Sequence, residues 1–485
     1  MNTKIASVTR TGKTILLIIF VTMGVITTFS MGYSIGHYSK EEPSNIIINN
    51  NIDERFQALE DVYNILVEDF YFGENSDEYR DFLVSSAING MVDANGDIHT
   101  TYFTPEEMAE FMSSLESTIV GIGVRYTEID HNIFIIEVLR SSPAEKAGLQ
   151  SGDFIVAVEG VLCKDHDSDY MATLIAGEEG TDVTITINRL GEEFDVTCTR
   201  AVIETTVLSK VNGNVGIVTI SSFGTETAVE LEKHLKDLKS QGVDRLIIDL
   251  RDNGGGYAST LDSMCRLFME KGQIVMREEF RDGQEIIDEV TKSKKIDYKK
   301  IVILQNGNSA SCSEVFTMAL KENCGAIVVG TTSYGKGIAQ VSKMFEDGSA
   351  LKYTDVIWKS GNGVSIHGKG IEPDYEVKLH PALSSVYLVL GEDESYGYDS
   401  VSARTAVMQE ILDFLGYDVD RMDGYFSQKT ESALMKFQKD CGLEATGILD
   451  KQTGESLDGR MLYAWHMNRD KYDTQMQKAL ELVRE

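Results

Sequence analysis

The stretch "RLIIDLRDNGGG", residues 245–256, decides the fold of the central part of the chain. It is a short apolar run typical of a buried strand, and it ends in a loop of three glycines. The segment "KIVILQNGNSAS" (300–311) repeats this pattern, and amphipathic helical segments lie before the first run and after the second. Strands that alternate with helices indicate an α/β core. Because sites in such sheets form in the loops after the strands, we expect the functional residues in these two loops.

The second loop, "NGNSASCSEVF" (306–316), carries four candidate nucleophiles: Ser309, Ser311, Cys312 and Ser313. A helix is predicted to follow over residues 313–322. Ser311 and Glu314 also spell S-x-x-E, the capping-box pattern of a helix N-terminus. Taken alone, the stretch therefore favours a helix cap over a catalytic serine.

A serine nucleophile requires a base and donors for an oxyanion. No histidine lies in the loops near residues 306–340, and His367 is the nearest in sequence. Lys336 is a candidate base because burial lowers the pKa of an ammonium group, and serine–lysine pairs are a known variant of the catalytic triad. Donors for the oxyanion could come from the loop 253–256 and from the start of the helix after Ser311.

A competing interpretation comes from "GTTSYGKG" (330–337), which matches the phosphate-binding pattern G-x-x-x-x-G-K-[ST] except at its last position. Gly337 replaces the hydroxyl residue that would hold Mg²⁺. The residues that follow are also poor helix formers, whereas a phosphate-binding loop opens a helix. A nucleotide-binding protein is therefore the weaker hypothesis.

Composition excludes some classes of function. The formal net charge of −32 argues against nucleic-acid binding, which needs basic surface. The six cysteines are scattered without a C-x-x-C pair, and the eight histidines are equally dispersed, so the sequence predicts neither a disulfide framework nor a metal site.

The N-terminus differs from the rest of the chain. Three basic residues precede "TILLIIFVTMGVITTFSMGY" (14–33), which has no charged residue and is long enough to cross a bilayer as a helix. The basic flank predicts a cytoplasmic N-terminus and an exported remainder. A cleaved signal peptide is the alternative, but no clear cleavage site follows, so we expect an uncleaved anchor.

The patterns predict an α+β multidomain chain with an α/β core, an inserted β-rich module and helical segments at both ends. The predicted segments are a cytoplasmic N-terminus (1–13), a transmembrane anchor (14–34), a linker (35–51), a helical subdomain (52–118), a β-rich module (119–203), the α/β core (204–384), a second linker (385–400), a small all-helical domain (401–460) and a C-terminal helix (461–485).

Three segments, "DLRDNGGG", "NSASCSE" and "GTTSYGKGIAQ", resemble in this order the carboxyl-terminal processing peptidases, which are serine proteases of the tail-specific type. The resemblance covers residues 52–380. It implies that Ser311 is the nucleophile, because the family's lysine follows its serine by 25 residues, as Lys336 does here. It also implies that Gln340 orients the lysine and that the backbone N–H groups of Gly255 and Cys312 form the oxyanion hole.

Cys312 stands where the family usually has alanine, so we expect a small residue at a helix start rather than a second nucleophile. The resemblance implies a protease that needs no cofactor and no metal.

The β-rich module resembles a PDZ domain, in which "VGIGV" (120–124) is the carboxylate-binding loop. The resemblance implies that the backbone of Gly121, Ile122, Gly123 and Val124 binds the C-terminus of a peptide by strand addition. Ala176 is a departure, since many relatives carry at this position an arginine that couples the module to the active site.

The C-terminal helical segment resembles a peptidoglycan-binding domain. The likeness lies in three residue pairs: Asp423-Gly424, Phe437-Gln438 and Thr446-Gly447. Leu412, Leu415, Leu434 and Phe437 are expected in its core.

Together these features predict a membrane-anchored extracytoplasmic serine endopeptidase that cleaves protein substrates and binds peptidoglycan. Homodimerisation through the helical ends is implied by the resemblance alone. The alternative from another class is a non-catalytic scaffold, with PDZ and wall-binding modules on an inactive protease fold. An intact Ser311, Lys336 and Gln340 argue against the scaffold.

Overall fold

The computed structural model describes residues 54–115, 119–129, 132–139, 142–189, 191–203, 206–384 and 387–485. The predicted cytoplasmic N-terminus, transmembrane anchor (14–34) and first linker lie outside these residues. Within the described ranges, no helix combines the length and apolar character needed to cross a membrane.

The helices, in chain order, are α1 Glu54–Glu68, α2 Asp77–Ala94, α3 Pro105–Leu115, α4 Pro143–Ala147, α5 Ser168–Ile175, α6 Thr227–Ser240, α7 Ser259–Cys265, α8 Cys312–Cys324, α9 Ala403–Phe414, α10 Gln428–Asp440, α11 Lys451–Met467, α12 Arg469–Tyr472 and α13 Thr474–Arg484.

The strands are β1 Thr101–Phe103, β2 Ile119–Gly121, β3 Val124–Ile129, β4 Asn132–Val138, β5 Phe154–Val158, β6 Val161–Leu162, β7 Asp182–Arg189, β8 Glu192–Thr199, β9 Ala201–Ile203, β10 Val207–Asn212, β11 Val215–Ile220, β12 Arg245–Asp249, β13 Ile274–Phe280, β14 Glu285–Glu289, β15 Lys300–Gln305, β16 Ile327–Gly330, β17 Ile338–Met344, β18 Ala350–Ser360 and β19 Tyr375–Glu376.

The chain divides into two compact units. The first comprises the described residues before residue 118, together with Thr219–Val328 and Thr332–Pro373. The second comprises Thr118–Val218, Val329–Thr331 and Asp374–Glu485.

The first unit contains the central part of the predicted α/β core. Its strands β12 and β15 are neighbours in one sheet and run parallel to each other. Residues 246–248 and 302–304 in these two strands are almost entirely buried, as expected for strands covered on both faces. The parallel pairing brings the two loops that follow β12 and β15 to the same edge of the sheet.

A second, antiparallel sheet in this unit has the order β1-β18-β13-β14, and β17 pairs with the same central strand, β18. Gln340 on β17 lies directly opposite Thr354 on β18, and a bulge precedes Gln340. At its other edge β18 pairs with β1, so that Thr101 faces Lys352. This sheet therefore places side chains from three distant parts of the chain next to one another.

The β-rich module of the second unit is a sheet of order β3-β4-β5-β7-β8 with helix α5 packed on one face. The short helix α4, between β4 and β5, begins with Pro143. Ser142 caps the N-terminus of α4, and Gly148 ends it in the left-handed conformation, with a φ of 85°.

The C-terminal helices α9, α10 and α11 enclose their own apolar core, which includes the predicted residues Leu412, Leu434 and Phe437. Leu415 is partly buried against this core. Helix α11 runs without a break from Lys451 to Met467 and crosses the predicted boundary at residue 460.

The continuation of α11 packs against the β-rich module. The ring of Tyr463 lies 5.5 Å from that of Phe134, between centroids. The C-terminal helical domain is therefore joined to the β-rich module within one unit, whereas the sequence predicted a separate domain followed by a distinct helix.

Candidate active site

The loops after β12 and β15 are held together through Asn253, a fully buried side chain. Its amide Nδ2 donates to the carbonyl of Ile220 at 2.7 Å, and its backbone carbonyl accepts from the Ala310 N–H at 3.0 Å and from Ser313 Oγ at 2.8 Å. Because Asn253 reaches both β11 and the second loop, it fixes the position of the glycine loop relative to the candidate nucleophiles.

Ser311 has an unusual backbone at the start of α8, with φ of 59° and ψ of −120°. A positive φ is strained for a residue with a Cβ, and such strain is found mainly at functional sites. Its hydroxyl Oγ is buried and has no hydrogen-bond partner among the described residues. In the predicted capping box, Glu314 Oε2 accepts from the Ser311 N–H at 2.9 Å.

The buried carboxylate of Glu314 joins the nucleophile loop to the lysine loop. Oε2 accepts from the backbone N–H groups of both Ser311 and Lys336, each at 2.9 Å. Oε1 accepts from Ser333 Oγ at 2.5 Å and from the Gly335 N–H at 2.7 Å. Burial raises the pKa of Glu314, and the four donors oppose this rise. One carboxylate thus fixes the backbone of Ser311 and Lys336 relative to each other.

Lys336 is almost completely buried, and its pKa is lowered from 10.5 to about 8. Desolvation is the largest cause, and the charge of a second buried lysine, Lys352, lowers the pKa further. The flanking glycines allow close approach of backbone. A Cβ on Gly335 would lie 2.7 Å from the Gly370 nitrogen, and one on Gly337 would lie 2.7 Å from the His367 nitrogen.

The two histidines near this site differ in environment. His367, the nearest histidine in sequence, has an exposed side chain. His99 is half-buried, and desolvation followed by the charge of Lys336 lowers its pKa to about 4. The imidazole of His99 is therefore uncharged at neutral pH.

The predicted oxyanion donors lie next to each other. Gly255 has a φ of 104°, and a Cβ there would lie 2.9 Å from Ser311 Cβ and 3.0 Å from the Cys312 nitrogen. The Cys312 N–H has no acceptor within the described part of the chain. The Gly255 N–H, however, donates to Asn253 Oδ1 at 2.9 Å, so it must leave this acceptor before it can bind a substrate oxygen.

The Cys312 side chain is not suited to act as a nucleophile. Its Sγ donates to the Gly256 carbonyl at 3.2 Å, and complete burial raises the pKa of the thiol. A thiol that is neutral at physiological pH is a weak nucleophile.

Gln340 is also buried. Its Nε2 donates to Thr354 Oγ1 at 3.3 Å, while its Oε1 has no partner among the described residues. The sequence indicated neither this threonine nor Asp97, which accepts from Thr354 Oγ1 at 2.6 Å. Glu314 could be found from its S-x-x-E pattern, but the contact between Asp97 and Thr354 joins residues that no local pattern connects.

The loop 121–124 of the β-rich module is held by α4 and the residues around it. The Ile122 carbonyl accepts from the Ala144 N–H at 2.8 Å, and the Gly123 carbonyl accepts from the Leu139 N–H at 3.0 Å. Gly123 has a φ of 79°, and a Cβ there would lie only 2.5 Å from Ser142 Cβ. Glycine is therefore required at this position of the loop.

The end of α5, next to Ala176, is covered by an arginine. The guanidinium of Arg200 donates to the carbonyls of Leu174 and Ile175, and a Cβ on Gly177 would lie 2.9 Å from Arg200 Nε. Arg200 stabilises the exposed carbonyls at the helix C-terminus.

Three family models match the chain: peptidase family S41 over residues 214–377, a PDZ domain over residues 134–189 and a peptidoglycan binding domain over residues 402–457. Among known proteins, the chain is 33% identical over 440 residues to a "Probable CtpA-like serine protease" of Staphylococcus epidermidis, an alignment that covers 90% of this chain and 86% of the relative. It is also 33% identical over 435 residues to the carboxy-terminal processing protease CtpA of Bacillus subtilis, covering 89% and 91% of the two chains.

Among solved structures, the photosystem II D1 C-terminal processing protease matches with 22% identity and a TM-score of 0.41, covering 75% of this chain and 92% of that one. The identity to the CtpA proteins over nearly their whole length shows the family. The chain therefore belongs to peptidase family S41, as a CtpA-like serine protease of the C-terminal processing type with a PDZ domain and a peptidoglycan-binding domain.

Proposed function

We propose that this protease cleaves proteins with a Ser311–Lys336 dyad. The observation that carries the proposal is the shared carboxylate oxygen of Glu314, which accepts from the backbone N–H groups of both residues. Lys336 is buried and has a pKa lowered to about 8, so that an appreciable fraction is the free amine that a general base requires.

In the proposed reaction, Ser311 Oγ attacks the scissile carbonyl carbon and its proton passes to Lys336 Nζ. The Cys312 N–H donates to the oxyanion that forms, and the Gly255 N–H joins it after leaving Asn253 Oδ1. The ammonium then protonates the leaving amine, which departs and leaves an acyl-enzyme on Ser311. Water, deprotonated by the same lysine, hydrolyses the ester and restores the serine.

The PDZ loop supports a substrate with a free, extended C-terminus. The ordered backbone of residues 121–124, with glycines at both 121 and 123, is suited to hold a carboxylate with N–H groups while the peptide adds to the edge strand β3. Peptidoglycan binding by the C-terminal domain would keep the enzyme near the cell wall.

To test the dyad, the part of the chain after the proposed anchor is purified. Its cleavage of an unfolded protein substrate is measured with and without a chelator. We expect Ser311→Ala and Lys336→Ala to abolish cleavage and chelator to have no effect. Cleavage by both variants at the wild-type rate would exclude the dyad. An inactive wild-type enzyme, tested with its partners present, would favour the non-catalytic scaffold.

For location, we propose that residues 14–34 anchor the protein in the membrane, with the N-terminus in the cytoplasm and the protease outside. The support is the uncharged run after a basic flank. A reporter enzyme that is active only outside the cytoplasm, fused after residue 51, should be active. An expressed but inactive fusion would contradict this orientation.

A homodimer is proposed through the N-terminal helices. Helix α2 buries none of its residues, and Tyr71 and Phe72, between α1 and α2, are 90% and 76% exposed. Exposed apolar surface of this kind favours association, and a second copy is the partner implied by the family resemblance. Light scattering should give the mass of a dimer for the wild type and of a monomer for Phe72→Glu. A monomeric wild type would refute the proposal.

A further inference from the structure

Gln340, Thr354 and Asp97 form a chain of hydrogen bonds in which each donor points toward Asp97. Gln340 on β17 and Thr354 on β18 are directly opposite, and Gln340 Nε2 lies 3.3 Å from Thr354 Oγ1. Thr354 Oγ1 in turn lies 2.6 Å from Asp97 Oδ2, on the loop between α2 and β1. The loop is brought here because β1 pairs with the other edge of β18.

The direction of each bond follows from the carboxylate. Asp97 accepts three hydrogen bonds, from Thr354 Oγ1, from Thr100 Oγ1 at 2.7 Å and from the His99 N–H at 3.0 Å. These bonds oppose desolvation and lower the pKa of Asp97, so the group is ionised and can only accept. Thr354 therefore donates its single hydroxyl proton to Asp97.

Because Thr354 Oγ1 donates its proton to Asp97, it can only accept from Gln340. The NH₂ group of the Gln340 amide must then face Thr354, and Oε1 must turn the other way. Gln340 Oε1 is in fact buried without a partner in the described residues, which costs free energy unless a donor is supplied. A buried acceptor in this state can take a donor during the reaction.

We propose that Asp97 and Thr354 are positioning residues that fix the Gln340 amide so that Oε1 accepts a hydrogen bond from Lys336 Nζ during catalysis. This inference rests on the proposed Ser311–Lys336 dyad. When Lys336 Nζ donates one N–H to Gln340 Oε1, the orientation of the amine is fixed. Its lone pair is then directed at the hydroxyl proton of Ser311. After the transfer, the same oxygen stabilises the ammonium group through a charge-assisted bond.

The charges around Lys336 agree with this arrangement. Lys352, Cys312, Asp97 and Glu314 are among the titratable groups that influence it electrostatically, and its own charge acts on His99. Of these, Asp97 is the carboxylate at the far end of the hydrogen-bond chain. It therefore supplies negative charge to the site while its threonine partner sets the orientation of the amide.

The test compares Thr354→Val, which keeps the shape of the side chain but removes the hydroxyl, with Thr354→Ser, which restores it. The matched control is Thr100→Val, which removes another hydroxyl from the same carboxylate oxygen but leaves the Thr354 bond in place. We expect Thr354→Val to lower kcat roughly 10- to 100-fold with KM nearly unchanged, as for a misoriented catalytic group. Thr354→Ser and Thr100→Val should retain most of the wild-type kcat.

Asp97→Asn provides a second, isosteric variant in case Thr354→Val fails to fold. An asparagine amide can donate to Thr354, which permits the reversed direction of the bonds and should lower kcat in the same way. In a Gln340→Ala background, Thr354→Val should cause no further loss, whereas a purely structural role would give an additional loss.

The outcomes separate this inference from the dyad itself. If Lys336→Ala is inactive but Thr354→Val, Asp97→Asn or Gln340→Ala keeps the wild-type kcat, the positioning role is refuted and the dyad stands. If Lys336→Ala is active, the dyad is refuted and this inference falls with it. Equal losses in Thr354→Val and Thr354→Ser would also refute it, because the hydroxyl would then not be the group that matters.

Discussion

The pH dependence of cleavage distinguishes a buried lysine base such as Lys336 from a histidine or from a lysine with an ordinary pKa. The perturbation is a change of pH from 7 to 9. With a lysine pKa of about 8, the free amine is about 9% of Lys336 at pH 7 and about 90% at pH 9. Because only the free amine can accept the serine proton, kcat/KM should rise about tenfold over this interval and level off above it.

An unshifted lysine and a neutral histidine give different profiles. An unshifted lysine with a pKa of 10.5 would give an increase of about 100-fold over the same interval and no plateau. His99, whose pKa is about 4, would be neutral throughout and would give a flat profile.

The assay is the initial rate of cleavage of a fluorescently labelled, unfolded protein at substrate concentrations well below KM. The rate is measured in buffers of constant ionic strength between pH 6 and pH 10. Enzyme returned from each buffer to pH 8 must recover its full rate, which controls for inactivation. A flat profile between pH 7 and pH 9, or a midpoint at or above pH 10, would refute a buried lysine base.

Three further predictions follow from the same contacts. Lys352→Met removes a positive charge that lowers the pKa of Lys336, so the midpoint of the pH profile should move to higher pH; an unchanged midpoint would contradict the electrostatic link. Gly255→Ala should abolish cleavage, because the new Cβ would lie 2.9 Å from Ser311 Cβ at a φ of 104°; circular dichroism would verify that the variant folds, and a folded variant with wild-type activity would contradict the close approach. Lys336→Met should raise the free energy of unfolding at pH 7 by roughly 3 kcal/mol, which is the cost of lowering a buried lysine pKa from 10.5 to about 8. The pKa is depressed in the folded state, so this gain should shrink as the pH rises from about 8 to 10.5, and a urea denaturation series at several pH values that shows no such decrease would refute it.

The sequence was sufficient to predict the strands and loops that carry the candidate site. The apolar runs that became β12 and β15, each followed by small or glycine residues, placed Gly255 and Ser311 at one edge of a parallel sheet. The helix after Ser311 was expected over residues 313–322 and extends over Cys312–Cys324. These predictions succeeded because they depend on local patterns of apolar residues and on rules for parallel sheets.

The details that control the chemistry depend on tertiary contacts. The positive φ of Ser311 and the burial of its hydroxyl do not follow from the S-x-x-E pattern. The acceptor of the Gly255 N–H is the Asn253 side chain, which a sequence pattern does not specify. The Asp97–Thr354 bond joins residues 257 positions apart, through a strand pairing that no local periodicity predicts.

The packing of the C-terminal domain on the PDZ domain also could not be predicted from the sequence pattern. The predicted boundary at residue 460 falls inside α11, because no glycine or proline after Gly459 interrupts the helix before Met467. The aromatic side chain of Tyr463 in this continuation packs on Phe134 of the PDZ domain. An aromatic contact between two residues so far apart in the sequence becomes visible only in the folded structure.

The most direct test of the proposed dyad is to find which atom becomes covalently modified. Wild-type protein and Lys336→Ala are incubated at pH 9 with a fluorophosphonate, digested and analysed by mass spectrometry. A single adduct on Ser311 in the wild type, and none in Lys336→Ala, is the predicted result. An adduct on Ser309, Cys312 or Ser313 instead, or equal modification of Ser311 in both proteins, would contradict a serine nucleophile activated by Lys336.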